Sequence, residues 1–257
     1  MDGPAPEALP HSRVEIDNFE STTKVLEDWV QTEWPSSAVI PQLHIELLQG
    51  VDEYSSKGLI PHEPGDPRRE DIKVTGEPEN FFVRGTDVAP VLRSYFEELD
   101  ERLASLPTNP QDNVAEIVKT AAWSYYVFER IHPFFDCNGR TGRLILTRVM
   151  QGANLDPIIF LDNWFDQERE NHLDAMNLAD ETGDLTALEL YLLNAIKTNH
   201  NNKPLEKEID SLIKEKGDTL LSPRQIKSIE NIWGKFGEID IASPAEVLQK
   251  TAHYQAA

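Results

Sequence analysis

The segment IHPFFDCNGRTGR, residues 131–143, concentrates side chains that could perform chemistry. It follows the apolar run WSYYVFERI and holds a histidine, an acid, an amide, small residues and two arginines. With an unperturbed pKa of about 6.5, His132 can take a proton from a hydroxyl at neutral pH. Asp136 is the kind of ligand that Mg²⁺ uses together with phosphate oxygens. A polar turn between two buried helices explains each residue singly, but their joint spacing favours a base beside a phosphate site.

Two helices must position this segment, the first ending near Ile131 and the second starting near Asn138. The N-terminus of a helix carries a partial positive charge and unpaired N–H groups, so it binds phosphate readily. We expect such N–H groups from Cys137 to Thr141. The missing side chains of Gly139 and Gly142 would let an anion approach the backbone.

Three further side chains complete the predicted site. Arg140 and Arg143 lie three residues apart on one helical face, which suits forked hydrogen bonds to successive phosphates. We expect Phe134 to point inward and anchor the loop. The segment is therefore interpreted as an anion-binding helix start with a base on one side.

The run HPFFDCNGRTGR resembles the motif of the Fic (Fic/DOC) domain family, H-x-F-x-[DE]-[GA]-N-[GK]-R-x-x-R. The matching residues are His132, Phe134, Asp136, Asn138, Gly139, Arg140 and Arg143. Cys137 is the one departure, because the family usually has Gly or Ala there; we interpret it as a small filler that keeps its backbone N–H. The resemblance extends from about residue 43 to residue 199 and includes the GDL turn at 183–185.

This resemblance implies a protein adenylyltransferase, which transfers AMP from ATP to a Ser, Thr or Tyr hydroxyl of a target protein. By motif position, His132 would be the catalytic base and Asp136 would hold Mg²⁺. The residues expected to bind ATP are Phe134, Cys137, Asn138, Gly139, Arg140, Thr141, Gly142 and Arg143. A flap near Asn80–Gly85 would align an extended target segment by backbone pairing.

The resemblance leaves alternatives to AMP transfer. Members that phosphorylate look like they carry Lys at the position of Gly139, so the glycine favours AMP. The same site could use another donor, either a different nucleotide or a phosphocholine compound. A regulatory protein with a vestigial site is the third hypothesis, and the intact His132, Asp136 and Arg143 argue against it.

The resemblance and the helical periodicity predict a mainly α fold. We expect a Fic-type helical bundle with a short β-hairpin flap and a small, winged-helix-like C-terminal helical module. The predicted divisions are an N-terminal arm and helix at 1–40, the Fic core at 41–200 and the C-terminal module at 201–257. The predicted helices are 18–34, with Ser21 or Thr22 as N-cap, 43–51, 88–106, 114–131, one from about 138 to 152, 163–179, 185–199 and 206–215.

Many Fic proteins resemble one another in an inhibitory helix, [ST]-x-x-x-E-[GN], whose glutamate pairs with the second motif arginine. The literal match at 75–80, TGEPEN, contains Gly76 and Pro78 and is a poor helix. Two helical near-matches remain, Thr23 to Glu27 and Ser211 to Glu215. Solvated helix charges are the simpler interpretation of both glutamates, and Glu27 is the preferred candidate because its helix precedes the core.

Composition limits the class of protein. A formal charge of −21 with 45 acids repels nucleic-acid backbones, and the C-terminal module is itself not basic, so we do not expect DNA binding. The single cysteine leaves no internal disulfide, no apolar run approaches the roughly 18 residues of a membrane span, and no leader pattern is visible. We therefore expect a cytoplasmic protein without a membrane partner. The sequence leaves a homodimer open.

Overall fold

Eight α-helices make up the part of the chain that the computed structural model describes. That part comprises residues 13–31, 34–51, 63–72, 82–107, 113–153, 168–199 and 203–217, with residues 109, 155 and 165. The helices are α1 Arg13–Gln31, α2 Ser36–Leu47, α3 Gly85–Ser105, α4 Val114–Ile131, α5 Asn138–Gly152, α6 Arg169–Thr182, α7 Thr186–Asn199 and α8 Lys203–Gly217. No strand occurs within these residues.

Helix α4 is the centre of the bundle. Fourteen of its 18 residues are buried, so it has no solvent-facing stripe, as expected of a core helix. Its N-cap is Asn113, whose side chain accepts a hydrogen bond from the Glu116 N–H over 3.2 Å. It packs against α3, α5, α7 and α8. Because α4 ends at Ile131, directly before His132, a largely buried helix positions the predicted base.

The other helices surround α4 and α5. Helix α1 packs against α2 and α5, and α6 pairs with α7. Helices α4 and α6 are joined by two parallel hydrogen bonds from the Arg130 guanidinium to the Asp180 carboxylate, of 2.7 and 2.8 Å. Helix α8 buries Leu205 and Ile209 in the same core. The residues from α1 to α8 therefore contribute to one hydrophobic core.

The first two helices differ from the prediction. Helix α1 begins at Arg13 rather than near Asn18, so Ser21 and Thr22 lie inside it. Their hydroxyls donate to the Asn18 carbonyl, over 3.0 and 2.6 Å, instead of capping a helix start. Helix α2 begins at Ser36 and continues through Pro41, which the sequence placed before the helix. The start of α2 buries Ser36, Val39 and Ile40, and this burial stabilises it although Pro41 follows.

Several predicted elements lie wholly or partly outside the described residues. Of the flap predicted at Asn80–Gly85, Asn80 and Phe81 lie outside the described residues; Phe82 to Arg84 are described and are not helical, and Gly85 opens α3. Residues 218–257 hold most of the expected winged-helix-like module. The three-part division of the chain stays a prediction. None of the described helices is long and apolar enough to cross a membrane.

Candidate active site

The six-residue loop between α4 and α5 begins and ends with a residue in the left-handed backbone conformation. His132 has φ 46° and ψ 61°, and Cys137 has φ 58° and ψ 13°. Among the described residues these are the two non-glycine residues with positive φ. Each such position costs on the order of 1 kcal/mol, so the surrounding contacts must stabilise the loop. Backbone strain of this kind concentrates at functional sites.

Asn138 closes the loop from inside. Its side-chain oxygen accepts a hydrogen bond from the Phe134 N–H over 2.9 Å, and its amide nitrogen donates to the Phe134 carbonyl over 2.8 Å. Asn138 is 2% exposed, and Phe134 is completely buried. The inward orientation of Phe134 is therefore confirmed. Asn138 holds the loop through the backbone, so its side-chain amide is already used within the protein.

His44, on α2, fixes the other side of the loop. Its ring stacks on Phe134 with centroids 3.8 Å apart. Its Nδ1 accepts a hydrogen bond from the Gly65 N–H over 2.8 Å, so Nε2 carries the proton and donates to the Asp136 carbonyl over 3.1 Å. Burial lowers the pKa of His44 to about 4, although its bond to the Asp136 backbone opposes that shift. His44 is therefore neutral at pH 7.

His132 is held as a neutral imidazole. Its Nδ1 lies 3.3 Å from the Glu129 carbonyl, which can only accept, so Nδ1 carries the proton. Burial lowers the pKa of His132 to about 4, and the positive charges of Arg68 and Arg130 lower it further, against the bond to Glu129 and the charge of Asp136. The Nε2 lone pair is then available at neutral pH, as a general base requires.

The Glu129 side chain lies beneath His132 without forming an ion pair with it at neutral pH. Its Oε2 is 4.0 Å from His132 Nδ1. Burial raises the pKa of Glu129 to about 7, while the charges of Arg130 and Arg143 act in the opposite direction. Its Oε1 is buried and has no hydrogen-bond partner among the described residues. His132 remains uncharged at pH 7, so the two groups do not attract each other as opposite charges.

Asp136 is the exposed acid of the loop. Its Oδ1 accepts a hydrogen bond from the Cys137 N–H over 2.7 Å. No cluster of three or more His, Cys, Asp or Glu side chains occurs in the described part of the chain. Mg²⁺ needs no such cluster when substrate phosphates and water complete its shell, because one or two carboxylates suffice. An exposed carboxylate beside a helix N-terminus fits that requirement.

The start of α5 offers fewer backbone donors than the sequence predicted. The Cys137 N–H donates to Asp136, and the Thr141 N–H donates to the Cys137 carbonyl over 2.9 Å as an ordinary helical bond. The expectation of unpaired N–H groups at these two positions is therefore wrong. The helix dipole still points at the loop, and Asn138 and Gly139 occupy the first turn, where N–H groups lack intrahelical acceptors.

The two glycines of α5 face different surroundings. Among the described residues, a Cβ on Gly139 would meet the Arg143 guanidinium alone, at 3.8 Å. A Cβ on Gly142 would lie 2.5 Å from Glu129 Oε1 and 3.1 Å from the Tyr125 ring. The missing side chain of Gly142 thus makes room for α4 rather than for an anion.

The predicted phosphate-binding arginines are partly buried. Arg140 and Arg143 both follow the loop on α5, and the Arg143 guanidinium lies 5.6 Å from the centre of the Phe165 ring. Together with the helix dipole they make this end of α5 the positive side of the site. Asp136 and His132 lie at the loop in front of it.

Sequence reasoning missed the residues that support the site from other segments. His44, Gly65 and Arg68 all bond to the loop backbone or to each other, although they lie more than 60 residues before it. His44 reads as an ordinary core residue in LHIELLQG, and Arg68 falls in an irregular segment. Glu129 could have been noticed in the sequence, because it is an acidic residue inside the mostly apolar run WSYYVFERI.

Comparisons with known proteins point to one family. The model of the Fic/DOC family matches residues 34–150, which include the loop, His44 and Arg68. Residues 34–150 are a Fic/DOC family domain. The Fic domain thus extends from just before α2 almost to the end of α5, and α6, α7 and α8 follow it.

The Fic domain has curated relatives in insects. Two proteins with the name Protein adenylyltransferase Fic, from Aedes aegypti and Drosophila willistoni, are 30% and 31% identical to this chain over 146 residues. The matched region is 57% of this chain and 24% of each relative. The chain therefore spans about a quarter of the length of these relatives. The solved structure of Fic-1 from C. elegans is similar in fold, with a TM-score of 0.54 and 21% identity over 81% of this chain and 54% of that one.

Proposed function

We propose that the chain is a protein adenylyltransferase, transferring AMP from ATP to a hydroxyl group of a target protein. The observation that carries the proposal is the state of His132, a neutral imidazole whose Nδ1 is bonded to the Glu129 carbonyl, beside the positive end of α5. The names of the relatives add support, as does the motif that the chain shares with their family.

The proposed reaction is a displacement at the α-phosphorus of ATP. His132 Nε2 accepts the proton of a target Ser, Thr or Tyr hydroxyl as the hydroxyl oxygen bonds to phosphorus. The bond from the α-phosphorus to the bridging oxygen of the β-phosphate breaks, and pyrophosphate leaves with the electron pair. The new imidazolium is stabilised by the Asp136 charge, which favours the protonated form of His132.

The remaining motif residues would bind the donor. Arg140, Arg143 and the first turn of α5 would hold the phosphates, as charge-assisted bonds and the helix dipole favour. Asp136 would hold Mg²⁺, which when bound neutralises negative charge on the α- and β-phosphates. Asn138 would act through the loop backbone because its amide is bonded to Phe134.

The target segment would lie near residues 80–85. The described end of that region is close to the base: the Phe82 and His132 rings are 4.4 Å apart, and the Val83 N–H donates to the Arg130 carbonyl over 3.3 Å. An extended segment pairing with this region would present its hydroxyl beside His132.

The test is transfer of label from ATP with Mg²⁺, to the protein itself and to lysate proteins. Because Ala is strained at the left-handed position of His132, the second control is His132→Asn, which tolerates that backbone better and lacks the base. We expect label with ATP, and none with His132→Ala or His132→Asn. Label from GTP or CDP-choline alone would show that the donor is not ATP. No transfer from any of the three donors would favour a regulatory protein.

A further inference from the structure

Arg68 is a buried cation placed against the backbone of the base. Arg68 is 1% exposed. Its Nε donates to the His132 carbonyl over 2.7 Å, and Nη2 donates to the Ile131 carbonyl over 3.0 Å. The Arg68 N–H itself donates to the Pro133 carbonyl over 2.8 Å. Arg68 therefore bonds to three consecutive carbonyls, at the last residue of α4 and at the two that follow.

Arg68 supplies hydrogen-bond donors to carbonyls at the C-terminal end of α4. The last carbonyls of an α-helix have no partner within it and carry a partial negative charge. A guanidinium supplies five N–H donors in a fixed planar fork, which Lys cannot reproduce. Removing the fork would leave buried carbonyls unsatisfied beside a residue that already has positive φ. The contacts of Arg68 thus stabilise the left-handed conformation of His132.

The same guanidinium also joins two segments that precede α4. Nη2 donates to the Val83 carbonyl over 2.6 Å, and Nη1 donates to the Glu70 carbonyl over 2.8 Å. Close by, the Gly85 N–H donates to Asp71 Oδ1 over 2.7 Å, and a Cβ on Gly85 would lie 2.3 Å from the Arg69 carbonyl oxygen. The residues on either side of 73–81 are therefore fixed to each other by the side chains of Arg68 and Asp71, and to the turn at His132 by Arg68.

We propose that Arg68 is a positioning residue, which fixes the backbone of His132 and couples it to the chain on both sides of residues 73–81. This inference rests on the proposed function, in which those neighbours of His132 receive the target. Arg68 itself touches no reacting atom. Its effect on the reaction comes from the orientation that it gives to the His132 ring and to Phe82 and Val83.

Two substitutions test the role, with a matched pair of controls next to them. Arg68→Lys keeps the charge and loses the fork, and Arg68→Met loses both. The exposed neighbour Arg69, changed to Lys and to Met, is the control for each. We expect Arg68→Lys to remain folded and to lower kcat by about tenfold to a hundredfold, as misplacing a catalytic group does, with the KM for ATP changed less than about threefold. The Arg69 variants should keep the parental kcat.

A spectroscopic measurement separates positioning from a purely structural role and does not depend on catalysis. In protein with ¹³C-labelled histidine, the ring signal of His132 is assigned by its absence in His132→Asn. We expect that signal to move in Arg68→Lys while the signal of His172, on α6, stays. An unmoved His132 signal with parental kcat per folded molecule would overturn the proposal, and so would a kcat loss matched by the Arg69 variants.

The same measurement keeps this inference distinct from the proposed function. If the parental protein transfers no AMP, the proposed function fails while the His132 signal still reports whether Arg68 fixes the ring. If Arg68→Met does not fold, Arg68→Lys carries the test, because it retains the buried charge. An Arg68→Lys protein with an unmoved His132 signal and unchanged melting temperature contradicts the role of the fork.

Discussion

The Nδ1 atom of His132 lies 3.3 Å from the carbonyl oxygen of Glu129, one turn earlier on the same helix. This bond sets the tautomer of the imidazole through the backbone, so no third side chain is required to orient it. The cost is that Glu129 brings its carboxyl group into the same buried space. Two titratable groups with shifted pKa values thus share the end of α4. We expect the protonation of His132 to affect activity and that of Glu129 to affect stability.

Transfer activity should change little between pH 8 and pH 6. Burial lowers the pKa of His132 to about 4, so the neutral form is dominant throughout that range. As pH falls through the folded-state pKa, His132 gains a proton and activity is lost. Initial rates of AMP transfer, measured where the protein remains folded, check this. An acid limb centred near the ordinary histidine pKa of about 6.5 would contradict the burial of the base.

Glu129→Gln should stabilise the protein more at pH 8 than at pH 5. The folded-state pKa of Glu129 is raised to about 7, so its stabilising contribution is fully present below the unfolded pKa and is lost as pH rises through 7. Glutamine keeps a neutral group at all pH values. The relative gain should reach at most about 3 kcal/mol between these pH values, from urea unfolding. Glu97→Gln, at an exposed position on α3, should show no such dependence.

Gly142→Ala should destabilise the fold, whereas Gly139→Ala should not. The new methyl at 142 would lie 2.5 Å from Glu129 Oε1 and would also press on Tyr125. Overpacking of this kind costs about 1–3 kcal/mol, more than the roughly 1 kcal/mol that Ala gains over Gly in a helix. At 139 the methyl has space, so the free energy of unfolding should be unchanged or slightly higher. Equal effects of the two substitutions would argue against close packing of α4 and α5 at Gly142.

If Glu27 is the inhibitory glutamate, Glu27→Gly should raise auto-modification, whereas Glu215→Gly should not. Both glutamates are exposed on their helices. Only the helix of Glu27, α1, packs against α5, which carries Arg143; α8 packs against α4 and α7. The paired variants share the same chemical change, so each controls for the other. No increase with either variant would exclude inhibition in cis by these two residues.

The site could be predicted where its chemistry is encoded within one continuous segment. His132, Asp136 and the arginines occupy a loop and one helix start, so the sequence alone predicted their order and their helices. Its boundaries at Ile131 and Asn138 are those of α4 and α5. The start of α1 was wrong because the helix already begins at Arg13, and the added turn includes exposed residues such as Val14 and Asp17, which hydrophobic periodicity does not register.

The supporting contacts could not be predicted in the same way. His44 and Arg68 reach the loop from 92 and 64 residues away, and nothing in the local pattern pairs a histidine with Asp136 or an arginine with His132. The prediction that Gly142 makes room for an anion was also wrong, because it makes room for α4. A glycine near an anion site and a glycine at a helix crossing look alike in one sequence. Those distinctions depend on which surfaces meet.

The bonds between Asn138 and Phe134 have a consequence for chemical ageing. Asn138 precedes Gly139, and an Asn-Gly pair loses ammonia readily when the glycine nitrogen attacks the side-chain carbonyl carbon. Here the amide is buried, both its polar atoms are engaged, and the glycine lies in the first turn of a helix. The folded chain therefore protects its own motif from deamidation. Loss of ammonia at Asn138 would first require the bonds to Phe134 to break, so the rate of deamidation at this residue would measure how often the loop opens.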